Sequence, residues 1–174
     1  MIYYNDTIVL IRTIQPSDTK VICEEEIAQG WHQTEEKYLM RLEDHTNGKS
    51  IGLVAEYKGH VAGYVNVYLD VTNGPFVSRG YCEIVDFGVL EKYQKRGIGN
   101  KLMSVAEMIA SNYSDTVFLA VGLYNSYGSA QRMYHKRGYL PDGSGAWYGN
   151  KLADPYENYC LDDDLVIYLS KRLR

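Results

Sequence analysis

The chain is poor in the groups that staple or metallate a fold. Cys23, Cys82 and Cys160 are its only cysteines, odd in number, widely spaced and without a Cys-x-x-Cys pair. That pattern argues against a disulfide framework and against a thiolate zinc site, so the three are expected to be reduced and structural. His32, His45, His60 and His135 share no metal-ligand spacing and are expected on the surface or in packing, with no metal bound. No apolar run approaches the roughly 20 residues that span a bilayer, and the chain does not open on a basic segment followed by an apolar one. The expectation is a cytoplasmic protein with no membrane partner. Positive charge is also scarce: the formal net charge of -4 makes nucleic acid an unexpected partner. Two nucleotide signatures are missing as well, the three-glycine dinucleotide fingerprint and the Lys-Ser/Thr pair of a nucleoside-triphosphate loop. There is neither an internal repeat nor a low-complexity segment.

What is present is ordinary in bulk. The 174 residues, 45% apolar and 23% charged, fit one domain spanning residues 1–174 with a sizeable core. Seventeen tyrosines stand out, several in strand-like runs, where an aromatic face with a polar tip suits a half-buried sheet. Thr7 to Ile14 reads as a strand that proline stops, followed by a helix over Thr19 to Ala28 capped by Ser17 or Asp18 and ended by Gly30. Glu24, Glu25 and Glu26 in that helix read as a solvated face. Thr34 caps a second helix with Glu36 to Leu42 inside. Gly52 to Tyr57 and His60 to Leu69 flank Lys58-Gly59, which predicts a hairpin with a tight turn. Tyr81 to Leu90 reads as a strand in which Gly88 hints at a bulge. Val117 to Val121 reads as a buried central strand, Tyr139 to Asp142 as the exit from a helix, Gly143-Ser144-Gly145 as a flexible turn, and Leu165 to Leu169 as the last strand. Together these predict an α/β protein with a mixed central sheet of about six or seven strands and helices on both faces.

The chain is organised around Glu91 to Leu102, where a buried apolar strand becomes an amphipathic helix with Ile98, Leu102, Val105 and Ile109 at helical spacing. Gly97 and Gly99 permit backbone dihedrals and close ligand approach that a Cβ would forbid. The first amides of the helix point outward at the positive end of the peptide dipoles, a ready seat for phosphate. Lys92, Lys95, Arg96 and Lys101 cluster there in an otherwise acidic chain. The first inference is a pyrophosphate seat.

Gln94-Lys95-Arg96-Gly97-Ile98-Gly99 resembles the Gln/Arg-x-x-Gly-x-Gly/Ala signature of the GNAT superfamily of acyl-CoA N-acyltransferases. A second block, Ser129 to Tyr139, resembles that superfamily's Ala-x-x-x-Tyr-x-x-x-Gly-Phe/Tyr segment through Ala130, Tyr134, Gly138 and Tyr139. The resemblance implies a GNAT fold, acetyl-CoA as acyl donor, and a coenzyme seat made by Gln94, Lys95, Arg96, Gly97, Ile98, Gly99 and Asn100. It implies that the backbone at Phe87, Gly88 and Val89 binds the cofactor arm, with the N–H near Val89 facing the thioester carbonyl. It places Tyr134 as the acid for the departing thiolate, although a core tyrosine on an amphipathic helix would look the same. Glu83, eleven residues before Gln94, occupies the position where the histone-modifying branch places a catalytic glutamate, and desolvation in an apolar strand would suit it to act as a base. A hydrogen-bonded structural carboxylate is the plain alternative, Asp86 is the fallback, and many relatives use a water chain. Relatives carry an asparagine seven residues before the tyrosine. Here that position is Tyr127, with Asn125 two residues earlier, and both are candidates for the cofactor arm. Trp31, in the connection that borders the acceptor site in such families, is either a lid over substrate or an anchor between helices.

The expected activity is transfer of an acetyl group to a primary amine, of a small molecule before a protein N-terminus or lysine, by direct attack in a ternary complex. Asp162, Asp163 and Asp164 would draw a cationic acceptor or form a solvated loop. A catalytically silent acyl-CoA sensor and a structural protein without coenzyme affinity are the rivals. No oligomeric state follows from the sequence.

Overall fold

Alternating apolar residues near the N-terminus build an antiparallel ladder in the computed structural model, which describes residues 1–174. Strand β1 (Ile2–Asn5) pairs with β2 (Val9–Thr13), β2 with β3 (Ser50–Tyr57), and β3 with β4 (His60–Tyr68), all antiparallel. The β3–β4 turn is the expected Lys58-Gly59 pair, with φ of 51° and 81°, left-handed values matching the twist of a tight hairpin. Strand β5 (Cys82–Val89) follows, and β6 (Thr116–Gly122) lies parallel to it, as a connection through a helix requires. Strands β7 (Leu140–Tyr148), β8 (Lys151–Leu152) and β9 (Leu165–Arg172) complete the sheet, whose hydrogen-bonded order is β1-β2-β3-β4-β5-β6-β9-β7-β8. The mixed, mostly antiparallel α/β class holds, but with nine strands rather than six or seven. The extra strands are the short ones, β1 and β8, whose few residues carry little periodicity.

The chain divides into two compact units. One comprises Met1–Leu69 and Val85–Ile109. Its helices are α1 (Pro16–Ala28), α2 (Glu35–Thr46) and α3 (Ile98–Ala110), the last of which ends just past the unit. Helix α1 begins three residues earlier than expected because Pro16 supplies a pre-set φ at the first position and Asp18 accepts the Gln15 N–H at 2.7 Å. Helix α3 buries Ile98, Leu102, Met103, Val105, Ala106 and Ile109. A Cβ on Gly63 of β4 would stand 3.2 Å from Leu102 and 2.7 Å from the Gly88 carbonyl, so glycine is what lets helix and strand approach so closely.

The second unit comprises Asp70–Ile84 and Ala110–Arg174, including α4 (Gly128–Lys136). Its core is aromatic. Phe118 lies 4.5 Å from Phe76 and 6.1 Å from Tyr168 between ring centroids, and Trp147 meets Tyr168 edge-on at 5.5 Å. Gly143-Ser144-Gly145, expected as a flexible turn, lies inside β7. The register against β9 shifts between Pro141 and Ala146, and the Asp142 carboxylate accepts both the backbone N–H and the hydroxyl of Ser144. Glycines at φ of 86° and 91° make this a bulge within one strand.

Candidate functional site

The corner after β5 is built by local sequence. A single 3-10 turn, Glu91–Tyr93, ends at Gln94, whose side-chain amide returns to the Val89 carbonyl at 3.1 Å and closes the strand end. Lys95 and Gly97 take left-handed backbone, φ 60° and 79°, and so aim the chain into α3. A Cβ on Gly97 would meet nothing within 4 Å, so its outer side is open. The first bond of α3 runs from the Lys101 N–H to the Gly97 carbonyl, and the amides before it have no acceptor inside the helix. The arrangement fits a diphosphate: the N-terminal end of a helix, an unobstructed glycine and nearby positive charge.

The four basic residues are not equivalent, although their spacing in the sequence makes them look so. Lys92 is paired with Glu25 at 2.6 Å, and Lys101 with Asp6 at 2.8 Å and with the Tyr4 hydroxyl. Those partners hold the two ammonium pKa values above the ordinary lysine range, chiefly through the side-chain hydrogen bonds. Arg96 lies over the Tyr57 ring at 5.1 Å, and no carboxylate is paired with it or with Lys95. Two cations, Lys95 and Arg96, therefore remain for an anion.

The irregularity of β5 falls at Asp86, not at Gly88. Asp86 has φ 51°, the left-handed region that a non-glycine residue rarely occupies. Its carboxylate accepts the Arg41 Nε–H at 2.6 Å and faces the Lys37 ammonium at 3.3 Å. That carboxylate is engaged by two cationic side chains of α2. Gly88 serves close packing instead: a Cβ there would stand 2.9 Å from Cζ and Oη of Tyr64. Phe87 and Val89 flank it, both half-buried.

The largest departure from expectation is in α1. Glu24 is exposed and Glu25 reaches Lys92, but Glu26 is 0% exposed. Its two carboxylate oxygens accept the hydroxyls of Tyr38, from α2, and Tyr64, from β4, whose rings meet edge-on at 5.6 Å. Burial first, and the Glu26 charge after it, push both phenol pKa values well above the ordinary range, so both stay protonated donors. Successive helical residues point about 100° apart, so three adjacent acids could not share one face. Trp31 follows this helix. Its backbone N–H donates to the Glu26 carbonyl at 2.9 Å, and the residue is 37% exposed.

In the second unit, Tyr134 is buried in α4, with its ring 5.8 Å from Tyr139, and burial raises its pKa so that the phenol keeps its proton. Glu83 sits half-buried in β5 opposite Phe118 of β6. Burial, and secondarily the Glu83 charge, push the Tyr168 hydroxyl up to about 12. Asn125 opens a 3-10 turn that ends at Tyr127. The Tyr127 ring covers Gly122 so closely that a Cβ there would overlap it, and its hydroxyl donates to Asp163 at 2.7 Å. The Tyr124 hydroxyl shares that Asp163 oxygen, and Tyr148 donates to Asp162 at 3.1 Å. Cys23 and Cys82 are buried thiols, while Cys160 is exposed rather than structural. No helix is long and apolar enough to cross a membrane.

Residues 18–139, more than half of the chain, match the family model described as Acetyltransferase (GNAT) family. No curated protein matches by sequence. Solved structures share the fold at low identity. YncA from Salmonella typhimurium, determined with its cofactor acetyl-CoA, is 17% identical with a TM-score of 0.69, covering 97% of this chain and 95% of that one. A GNAT-family protein from Desulfovibrio desulfuricans is 15% identical at TM-score 0.71, covering 95% and 99%. The ribosomal-protein-alanine N-acetyltransferase of Brucella melitensis is 16% identical at TM-score 0.67, covering 94% and 99%. With its strand-to-helix corner and its second motif both inside the matched span, the chain belongs to the GNAT family of acetyltransferases and is an N-acyltransferase that uses acetyl-CoA as donor.

Proposed function

We propose that this acetyltransferase, as one domain over residues 1–174, acetylates the primary amine of a small molecule by direct attack in a ternary complex. The observation that carries the reading is the open corner at Gly97, with Lys95 and Arg96 left unpaired by carboxylates to receive the coenzyme diphosphate. Gln94, Ile98, Gly99 and Asn100 complete that seat, and Asn125 and Tyr127 border the cofactor arm. Backbone donors at Phe87, Gly88 and Val89 polarise the thioester carbonyl, a contribution of about 3 kcal/mol when such donors are preorganised. The acceptor nitrogen attacks the carbonyl carbon, the C–N bond forms, and Glu83 takes the amine proton. The C–S bond then breaks, and the thiolate receives the proton of the Tyr134 hydroxyl, which solvent later replaces. Supporting a cationic acceptor, Asp162, Asp163 and Asp164 form no ion pair, and the hydroxyls of Tyr124, Tyr127 and Tyr148 donate to Asp163 and Asp162.

The test is thiol release from acetyl-CoA across a panel of small amines and peptides bearing free N-termini or lysines. Small amines should be the better acceptors. Peptide preference would assign the enzyme to protein acetylation, and coenzyme binding with no release by any amine would make it a sensor. Tyr134→Phe should lower kcat by about 100-fold with coenzyme affinity unchanged, whereas Gly97→Asp should abolish coenzyme binding in calorimetry.

A further inference from the structure

Glu26 has no place in the chemistry above, yet it is the most deeply buried carboxylate of its unit. A buried charge is retained only when its lone pairs are satisfied, because desolvation otherwise costs several kcal/mol. Here two phenols satisfy it, one on each oxygen, and no cation is paired with it. The same charge would be easier to keep at the surface. What burial achieves is geometric. The Tyr64 hydroxyl, fixed by Glu26, lies against the Cα of Gly88, near enough that any side chain there would collide with Cζ, Oη and Cε1. On the far side of the same segment, the Gly88 carbonyl and Val89 Cα crowd Gly63, which tolerates them only because it lacks a Cβ. One residue beyond Val89, the Leu90 N–H is bonded to the Ala62 carbonyl at 2.9 Å. The backbone at Gly88 is therefore confined between Gly63 and a phenol that cannot rotate away.

We infer that Glu26 and Tyr64 are positioning residues: the carboxylate locks the phenol, and the phenol holds β5 at Gly88 so that its amides are aimed at the thioester carbonyl. This rests on the proposed placement of the acetyl group at Phe87 to Val89. Neither residue needs to touch substrate. The effect is on the direction of donors whose strength depends on alignment, and a misplacement of about 1 Å can cost about 100-fold in rate. Tyr38 is the internal control, since its hydroxyl binds the same carboxylate while the atoms nearest the Gly88 position are all from Tyr64.

The experiment compares Tyr64→Phe, Glu26→Gln and Tyr38→Phe in the full chain. Three quantities are read: coenzyme affinity by calorimetry, kcat and KM for acetyl-CoA, and the infrared carbonyl stretch of carbonyl-labelled acetyl-CoA bound without acceptor. In the wild type the stretch should lie below that of free acetyl-CoA. Tyr64→Phe should lower kcat at least about ten-fold, move the stretch back toward the free value, and leave coenzyme Kd and KM within about two-fold. Tyr38→Phe should keep kcat and the stretch near wild type while lowering Tm. Should Tyr64→Phe fail to fold, Glu26→Gln, which keeps the shape and one acceptor oxygen, is read the same way. An unchanged stretch and kcat in folded Tyr64→Phe overturns the inference, as does an equal effect of Tyr38→Phe, which would reduce the network to a structural role. An unshifted stretch in the wild type would instead overturn the placement of the thioester on β5, and this inference with it.

Discussion

Two carboxylates in this protein each receive two tyrosine hydroxyls, and they behave as opposites. Glu26 is wholly buried, with Tyr38 and Tyr64 on separate oxygens. Asp163 is exposed, and Tyr124 and Tyr127 share one of its oxygens. Both belong to runs of three adjacent acids, Glu24 to Glu26 and Asp162 to Asp164. The difference is what water can repair. At Asp163 a lost partner is replaced by solvent. At Glu26 it is not, and the cost of each missing bond is the full desolvation of the orphaned group.

Removing the carboxylates should display that contrast most strongly. Glu26→Ala leaves two buried hydroxyls without an acceptor and a cavity between them, and should lower stability by about 3 kcal/mol or more in urea unfolding. Asp163→Ala should cost below about 1 kcal/mol. Comparable losses would mean that the two sites share one environment. A smaller difference should appear in alkali. The folded-state pKa of Tyr64 is raised well above 10, chiefly by burial, and that of Tyr124 is raised chiefly by its bond to Asp163. In both cases the folded state holds its proton longer than the unfolded chain does. The stability is thus fully present below the ordinary phenol value of 10.0 and is lost as pH rises past it toward the folded value. Tyr64→Phe removes one such group and should make the fall in Tm above that pH shallower. Tyr124→Phe should change it less, and the reverse order would contradict the assignment of burial as the dominant cause.

Much of the site is legible in the amino-acid order alone because it is local. The Lys58-Gly59 hairpin and the Gln94 to Gly99 corner depend on residues adjacent in sequence, where glycine and turn geometry speak directly. The burial of Glu26 is not legible in that way, because its partners lie 12 and 38 residues away. The same holds for the basic cluster: Lys92 and Lys101 are engaged by Glu25 and Asp6, 67 and 95 residues distant. The irregular backbone of β5 lies away from its glycine for a different reason. Glycine is the usual sign of irregular backbone, yet Asp86 takes the left-handed position because Arg41 and Lys37 hold its side chain, while Gly88 is small to admit Tyr64. In β7, glycines that signal a turn fall in an interruption of one strand: Asp142 accepts from Ser144 there, and pairing with β9 resumes at Ala146.

The pairing of Lys92 and Lys101 within the protein has a consequence for ionic strength. Only Lys95 and Arg96 remain to trade bulk counterions for a bound anion, so added salt should weaken coenzyme binding by the modest slope of two charges rather than four. In the proposed seat, most of the grip on the diphosphate would come from fixed amide dipoles at close range, which dissolved ions screen poorly, and the enzyme should keep its donor in brines that would strip a purely cationic site.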